Sequence, residues 1–129
     1  LLRNTSFVNP TGLDPTGLHY NEETQSYFNF STASDLASLI NYIINTHPLI
    51  FSTSSRHGPF PVDNGISEIV LPQTFTLVGG KTGYTDEAGV CMILLVKNDS
   101  GETLINIILG APSAKDRVIE MQKLIDFIK

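Results

Sequence analysis

FTLVGGKTGYT, Phe75 to Thr85, opens with β-branched, aromatic and aliphatic residues and then sets a lysine among glycines. The runs that follow, VCMILLVKN (Val90 to Asn98) and TLINIILG (Thr103 to Gly110), have the same strand-forming chemistry and are bounded by turn residues. Asn98-Asp99-Ser100-Gly101 between the last two reads as a hairpin loop, which makes that pair antiparallel. Near-continuous apolarity predicts a sheet covered on at least one face. The expected cover is the C-terminal segment, where Ser113 and Asp116 form a capping box and Val118, Met121, Leu124, Ile125 and Ile128 fall on one helical stripe. A three-strand meander followed by a helix is an α+β arrangement, an antiparallel sheet packed against helices.

Upstream, STASDLASLINYIINTHP predicts a second helix, with Ala33, Leu36, Ala37, Ile40, Ile43 and Ile44 on one face. Thr32 and Asp35 supply its capping box, and Pro48 its stop. NPTGLDPTGLHYN repeats PTGL after five residues, too short a period for a solenoid. It predicts consecutive ordered turns, with Pro presetting φ and Gly supplying positive φ. From Phe51 to Gln73, mixed Gly, Pro and Ser with short apolar pairs predict a loop with one short strand.

The 129 residues fit one domain, and 41% apolar with 16% charged residues is a globular composition. A net charge of -5 without a Lys/Arg cluster argues against a nucleic-acid partner. Cys91, the single cysteine, lies in VCMILLV and is expected to be a buried structural thiol. No apolar run reaches the roughly 20 residues of a membrane span. The start LLRNTSFVN has no signal-peptide pattern, so the chain itself is expected to be soluble and to carry no address.

Lys81-Thr82-Gly83 offers a cation, a hydroxyl and a position without a side chain. Strand alternation puts Lys81 and Gly83 on one face and Thr82 on the other, unless a bulge intervenes, and the glycines at 79, 80 and 83 invite one. The three residues alone equally suit a protective lysine on an edge strand. Four blocks, NTSFVNPTGLD, FSTASDLASLINYII, GGKTGYTDEAG and LGAPSAKDR, carry a wider pattern across essentially the whole chain. In that order and spacing the chain resembles the low-molecular-weight penicillin-binding proteins, the serine D-alanyl-D-alanine carboxypeptidase family with its transpeptidase/β-lactamase-like fold.

The resemblance implies specific roles. Lys81 would contribute positive charge, Thr82 would hydrogen-bond the terminal carboxylate of a D-alanyl-D-alanine peptide, and Gly83 would let the substrate lie against the strand. The backbone NH of Tyr84 would be one oxyanion-hole donor. Arg117 matches a carboxylate-binding arginine of some members, and a planar guanidinium suits that task; the competing reading is a solvated cation in the first helical turn. The family's motifs also include Ser-x-x-Lys and Ser-x-Asn, which precede the NPTGLD block. Neither occurs in these 129 residues. Tyr27-Phe28-Asn29 matches a Tyr-x-Asn variant but lies after that block, and is read as coincidence.

Residues 1–129 are therefore expected to form a single partial domain, the C-terminal part of a catalytic domain. The implied parent is an exported periplasmic or cell-wall-side peptidase that trims peptidoglycan stem peptides, binds β-lactams and needs no cofactor or metal. The chain alone is expected to be inactive, and to self-associate or pair with the missing half along an unpaired Thr103 to Gly110 edge. Two other readings stay open: a non-catalytic peptide-binding or assembly module, and a class A β-lactamase-like hydrolase. His19, His47 and His57 lack metal-ligand spacing, and Asp86-Glu87 reads as a turn between strands.

Overall fold

A computed structural model describes residues 2–52 and 65–128. The expected three strands form one sheet in the order β1 (Phe75–Thr85), β2 (Gly89–Asn98), β3 (Thr103–Ala111), antiparallel throughout. Three helices accompany it: α1 (Ala33–Thr46), a single turn α2 (Leu49–Ser52) and α3 (Ala114–Phe127). The β2–β3 loop closes where the predicted hairpin stands. Gly101 NH donates to the Asn98 carbonyl at 2.9 Å with φ +85, and the Asn98 amide oxygen accepts from Glu102 NH at 2.9 Å.

Met92, Leu94 and Val96 of β2 are buried with Met121 and Ile125 of α3 and with Ile66 and Ile69, forming one apolar core. Leu95, of the opposite parity, is also fully buried, so the central strand is covered on both sides. A two-sided cover explains why VCMILLV is continuously apolar instead of alternating. The α3 stripe read from sequence is the packed one, with Val118, Leu124 and Ile128 flanking the core.

Both helix caps form, in different ways. The Ser113 hydroxyl accepts from Asp116 NH at 3.1 Å and bonds the Asp116 carboxylate at 2.7 Å. The Thr32 hydroxyl accepts from Asp35 NH at 3.2 Å, but the Asp35 carboxylate turns to the N-terminal segment, accepting from Asn4 NH at 2.7 Å and the Thr5 hydroxyl at 2.8 Å. The capping pair thus doubles as the anchor of residues 4–5.

The N-terminal turns are ordered as expected, with Gly12 at φ +73 and Gly17 at φ +77. Residues 65–74 contain no strand, and the rest of the stretch expected to hold one short strand, residues 53–64 with His57, lies outside the described residues. In place of a strand, the Gln122 side chain of α3 grips Val70, accepting from its NH at 2.8 Å and donating to its carbonyl at 3.0 Å.

Candidate functional site

The lysine strand owes its orientation to a bulged pairing. Leu77 pairs with Val96 but Gly79 pairs with Leu95, which leaves Val78 as a bulge. Directly paired residues share a face. Leu77 therefore packs toward the α3 core with Val96, and the bulge inverts the alternation so that Lys81, paired with Ile93, turns to the other face. Thr82, paired with Met92, is directed to the α3 side, and Gly83 pairs with Cys91. Lys81 and Gly83 thus share a face as the sequence implied.

Gly80 explains why the strand can lie so close to its neighbours. A Cβ there would stand 2.8 Å from the Ile93 carbonyl oxygen and 2.8 Å from Ile66 Cδ1. At Gly83 the same construction meets nothing within 4 Å. The absent side chain of Gly80 serves packing, whereas that of Gly83 keeps open space beside the strand.

Residues Lys81, Thr82, Gly83, Tyr84 and Thr85 line one wall of a cleft of about 980 Å³. Ala88, Cys91, Met92, Ile93 and Leu109 continue that wall, and the loop from Phe7 through Leu13 (without Val8), with Asn29 and Leu36, lines another side. Strand residues of both parities reach it, which is possible because no described strand pairs the outer edge of β1. The Lys81 ammonium donates to the Thr82 carbonyl.

Arg117 joins the same cleft from α3. It is 6% exposed, so the reading of a solvated cation in the first helical turn is corrected: the start of α3 packs on β2, and the guanidinium donates from Nη1 to the Cys91 carbonyl at 3.3 Å. Gly65 makes room for it, since a Cβ there would meet Arg117 Nη2 at 3.4 Å and Val118 Cγ2 at 2.7 Å. A buried guanidinium and the Lys81 ammonium on one concave surface create a site suited to an anionic group.

Tyr84 is exposed, and its hydroxyl donates to Asp86 at 2.5 Å; that bond, with the nearby carboxylate charge, pushes the phenol above its ordinary value. Asp86 and Glu87 occupy the β1–β2 turn as read from sequence, and Glu87 meets the exposed His19 ring at 2.9 Å. His47 ends α1. Among the described residues no group of three or more His, Cys, Asp or Glu is placed to hold a metal ion. Cys91 departs from its expected burial: it is half-buried and lines the cleft, its Sγ 3.7 Å from the Ala88 carbonyl. The VCMILLV pattern could not show this, because the cleft cuts into the sheet only at the β1–β2 end.

Sequence reading assigned no site role to the N-terminal turns, yet they form a cleft wall. The Asn9 amide oxygen accepts from Thr11 NH at 3.1 Å, the Thr11 hydroxyl at 2.8 Å and Gly12 NH at 2.9 Å. Asn-Pro-Thr-Gly is the visible signal of such a side-chain-closed turn.

With that geometry in place, the comparisons with known proteins converge. The model of the D-alanyl-D-alanine carboxypeptidase family matches residues 1–113. The D-alanyl-D-alanine carboxypeptidase DacF of Bacillus subtilis is 30% identical over 133 residues, covering 98% of this chain and 31% of its own length. DacD of Escherichia coli, of the same name, is 33% identical over 129 residues, covering 96% and 30%. Penicillin-binding protein D2 from Listeria monocytogenes, solved in its cefotaxime-bound form, superposes with a TM-score of 0.64 at 29% identity, covering 95% of this chain and 48% of that one. Its ampicillin-bound form gives 0.65. The chain therefore spans roughly a third of the curated relatives' length and about half of the solved chain.

Proposed function

The chain belongs to the D-alanyl-D-alanine carboxypeptidase family, and from that premise we propose that it is the carboxylate-recognition part of a serine-type carboxypeptidase acting on peptidoglycan stem peptides. The observation that carries the reading is the meeting of Lys81, Thr82, Gly83 and the buried Arg117 in one cleft. Lys81 and Arg117 supply positive potential for the terminal carboxylate of a D-alanyl-D-alanine peptide. Thr82 adds a hydroxyl donor, and the open space beside Gly83 admits the peptide backbone. The Tyr84 NH serves as one oxyanion donor; losing such a donor typically costs about 2.7 to 4 kcal/mol of transition-state stabilisation.

The attacking serine and its lysine belong to a Ser-x-x-Lys motif, which these 129 residues do not contain. The proposal assigns that motif, and the Ser-x-Asn motif, to the rest of the catalytic domain, with residues 1–129 as one partial domain. By the same reading the complete enzyme binds β-lactams and works on the periplasmic or cell-wall side of the membrane. The β3 edge, which no described strand pairs, takes up the missing half or a second copy. This chain alone forms no acyl-enzyme, because removing a nucleophile leaves only binding and partial electrostatic stabilisation.

Two measurements test this. Titration with a D-alanyl-D-alanine peptide is expected to show saturable binding that weakens with Lys81→Ala and Arg117→Ala; an unaffected affinity would remove those residues from the site. Incubation with a labelled penicillin followed by intact-mass analysis is expected to show no adduct, and a stoichiometric adduct would overturn the assignment of the nucleophile elsewhere.

A further inference from the structure

Backbone pairing between the N-terminal segment and the segment before α1 is one bridge long. Ser6 and Phe30 exchange NH-to-carbonyl bonds, each at 3.0 Å. On one side of that bridge the Thr5 and Ser31 hydroxyls meet at 2.8 Å; on the other, toward residues 8 and 9, the connection runs through the Asn29 side chain. The Asn29 amide oxygen accepts from Val8 NH at 2.7 Å and Asn9 NH at 3.2 Å. Its amide nitrogen donates to the Asn9 carbonyl at 3.3 Å and to the Asn9 side-chain oxygen at 3.1 Å. That same Asn9 oxygen organises Thr11 and Gly12, and the Asn9 amide nitrogen donates to the Leu13 carbonyl at 3.1 Å.

We infer that Asn29 is a positioning residue for the candidate site: through Asn9 it fixes the turn that forms the cleft wall opposite the Lys81 strand, and so sets the width available to a ligand held by Lys81 and Arg117. An amide is required at position 29 because the side chain both accepts and donates toward residues 8 and 9. A carboxylate would keep the two accepted bonds but turn two attractive contacts, to the Asn9 carbonyl and side-chain oxygens, into repulsive ones. A lone apolar replacement would leave the Val8 and Asn9 NH groups without their acceptor. The apparent Tyr-x-Asn motif ending at Asn29 thus serves the site as part of the cleft lining that holds the Asn9 turn, with Phe28 buried in support.

The consequence for ligand binding rests on the proposed function; the consequence for the loop does not, and the two are measured separately. In Asn29→Ala, amide hydrogen exchange at Thr11, Gly12 and Leu13 is expected to rise about tenfold or more, with β2 amides unchanged. Affinity for a D-alanyl-D-alanine peptide is expected to fall about tenfold. Unchanged exchange at the loop overturns the positioning role whether or not peptide binds. Faster exchange with unchanged affinity overturns its link to the site. Failure of the unsubstituted chain to bind peptide refutes the proposed function and leaves the exchange result to decide the loop.

If Asn29→Ala does not fold, Asn29→Asp provides the second arm. Its carboxylate keeps the two accepted NH bonds but faces the two Asn9 oxygens without a donor, so exchange at Thr11, Gly12 and Leu13 should rise and peptide affinity should fall in the same direction as in Asn29→Ala. Exchange at the level of the unsubstituted chain overturns the inference.

Discussion

The sheet with α3 and the N-terminal loop with the start of α1 are held together by opposite kinds of chemistry. Met92, Leu94, Val96, Met121 and Ile125 form a dry interior without a polar partner to satisfy. The loop has few buried side chains; Asn9, Asn29, Asp35, Thr5, Asn21 and Thr24 bind backbone and one another instead. One region therefore loses stability through lost volume, the other through a lost donor, acceptor or charge. The cleft lies between them, so its two walls should respond to different perturbations.

The largest expected effect is in the dry half. Leu94→Ala removes a side chain that is fully buried in the core and should cost about 2 to 5 kcal/mol in denaturant unfolding. Gly80→Ala sharpens the contrast, because a backbone carbonyl 2.8 Å away cannot yield as a flexible side chain would; a loss of about 1 to 3 kcal/mol is expected, with weaker peptide binding as β1 shifts. Ser113→Ala removes the cap of α3, and about 1 kcal/mol with it. Should any of these loosen the N-terminal loop as much as the sheet, the division into two regions would fail.

The smallest effect belongs to the polar half and is expressed through pH. The Asn4 NH, then the Thr5 hydroxyl, hold the Asp35 carboxyl below its ordinary value of 3.8. A depressed value in the folded state means that the carboxylate stabilises the fold above pH 3.8, and that this contribution fades as pH falls through the folded value. Chemical-shift titration should show residues 4–5 and the start of α1 responding in that acid range while β2 does not. Asp35→Asn should abolish the local response.

The same contrast governs how much could be read from sequence. Burial of a strand or helix face imposes a period, so the three strands, the stripes of α1 and α3 and the Asn98–Gly101 hairpin were all legible. Lys81, Thr82, Gly83 and Tyr84 were singled out as a group through the order of the sequence blocks, and all four line one cleft. Arg117 had two readings because a first-turn cation is ordinarily solvated; only the packing of α3 on β2 shows it buried. Asn29 was unreadable for a different reason. Its partners lie about twenty residues away, and hydrogen bonds between turns impose no period on the chain between them. The half-buried Cys91 was hidden because a cleft reaches the end of a strand, at Cys91 to Ile93, without changing the strand's apolar composition.

The bulge at Val78 carries a lesson about motifs as text. The same letters paired without the bulge would set Lys81 against Met92 and Thr82 against Cys91, with the ammonium aimed at the α3 core and the threonine at the opposite face. A search by letters would score that strand as intact. Deleting Val78 would instead close the bulge and leave Lys81 opposite Ile93, on the face it holds now. The information that makes Lys81 a candidate binding residue is thus stored partly in how the strand is paired. A Val78 deletion should accordingly keep peptide binding better than a one-residue insertion between Gly80 and Lys81, which reverses the phase unless it too is bulged out.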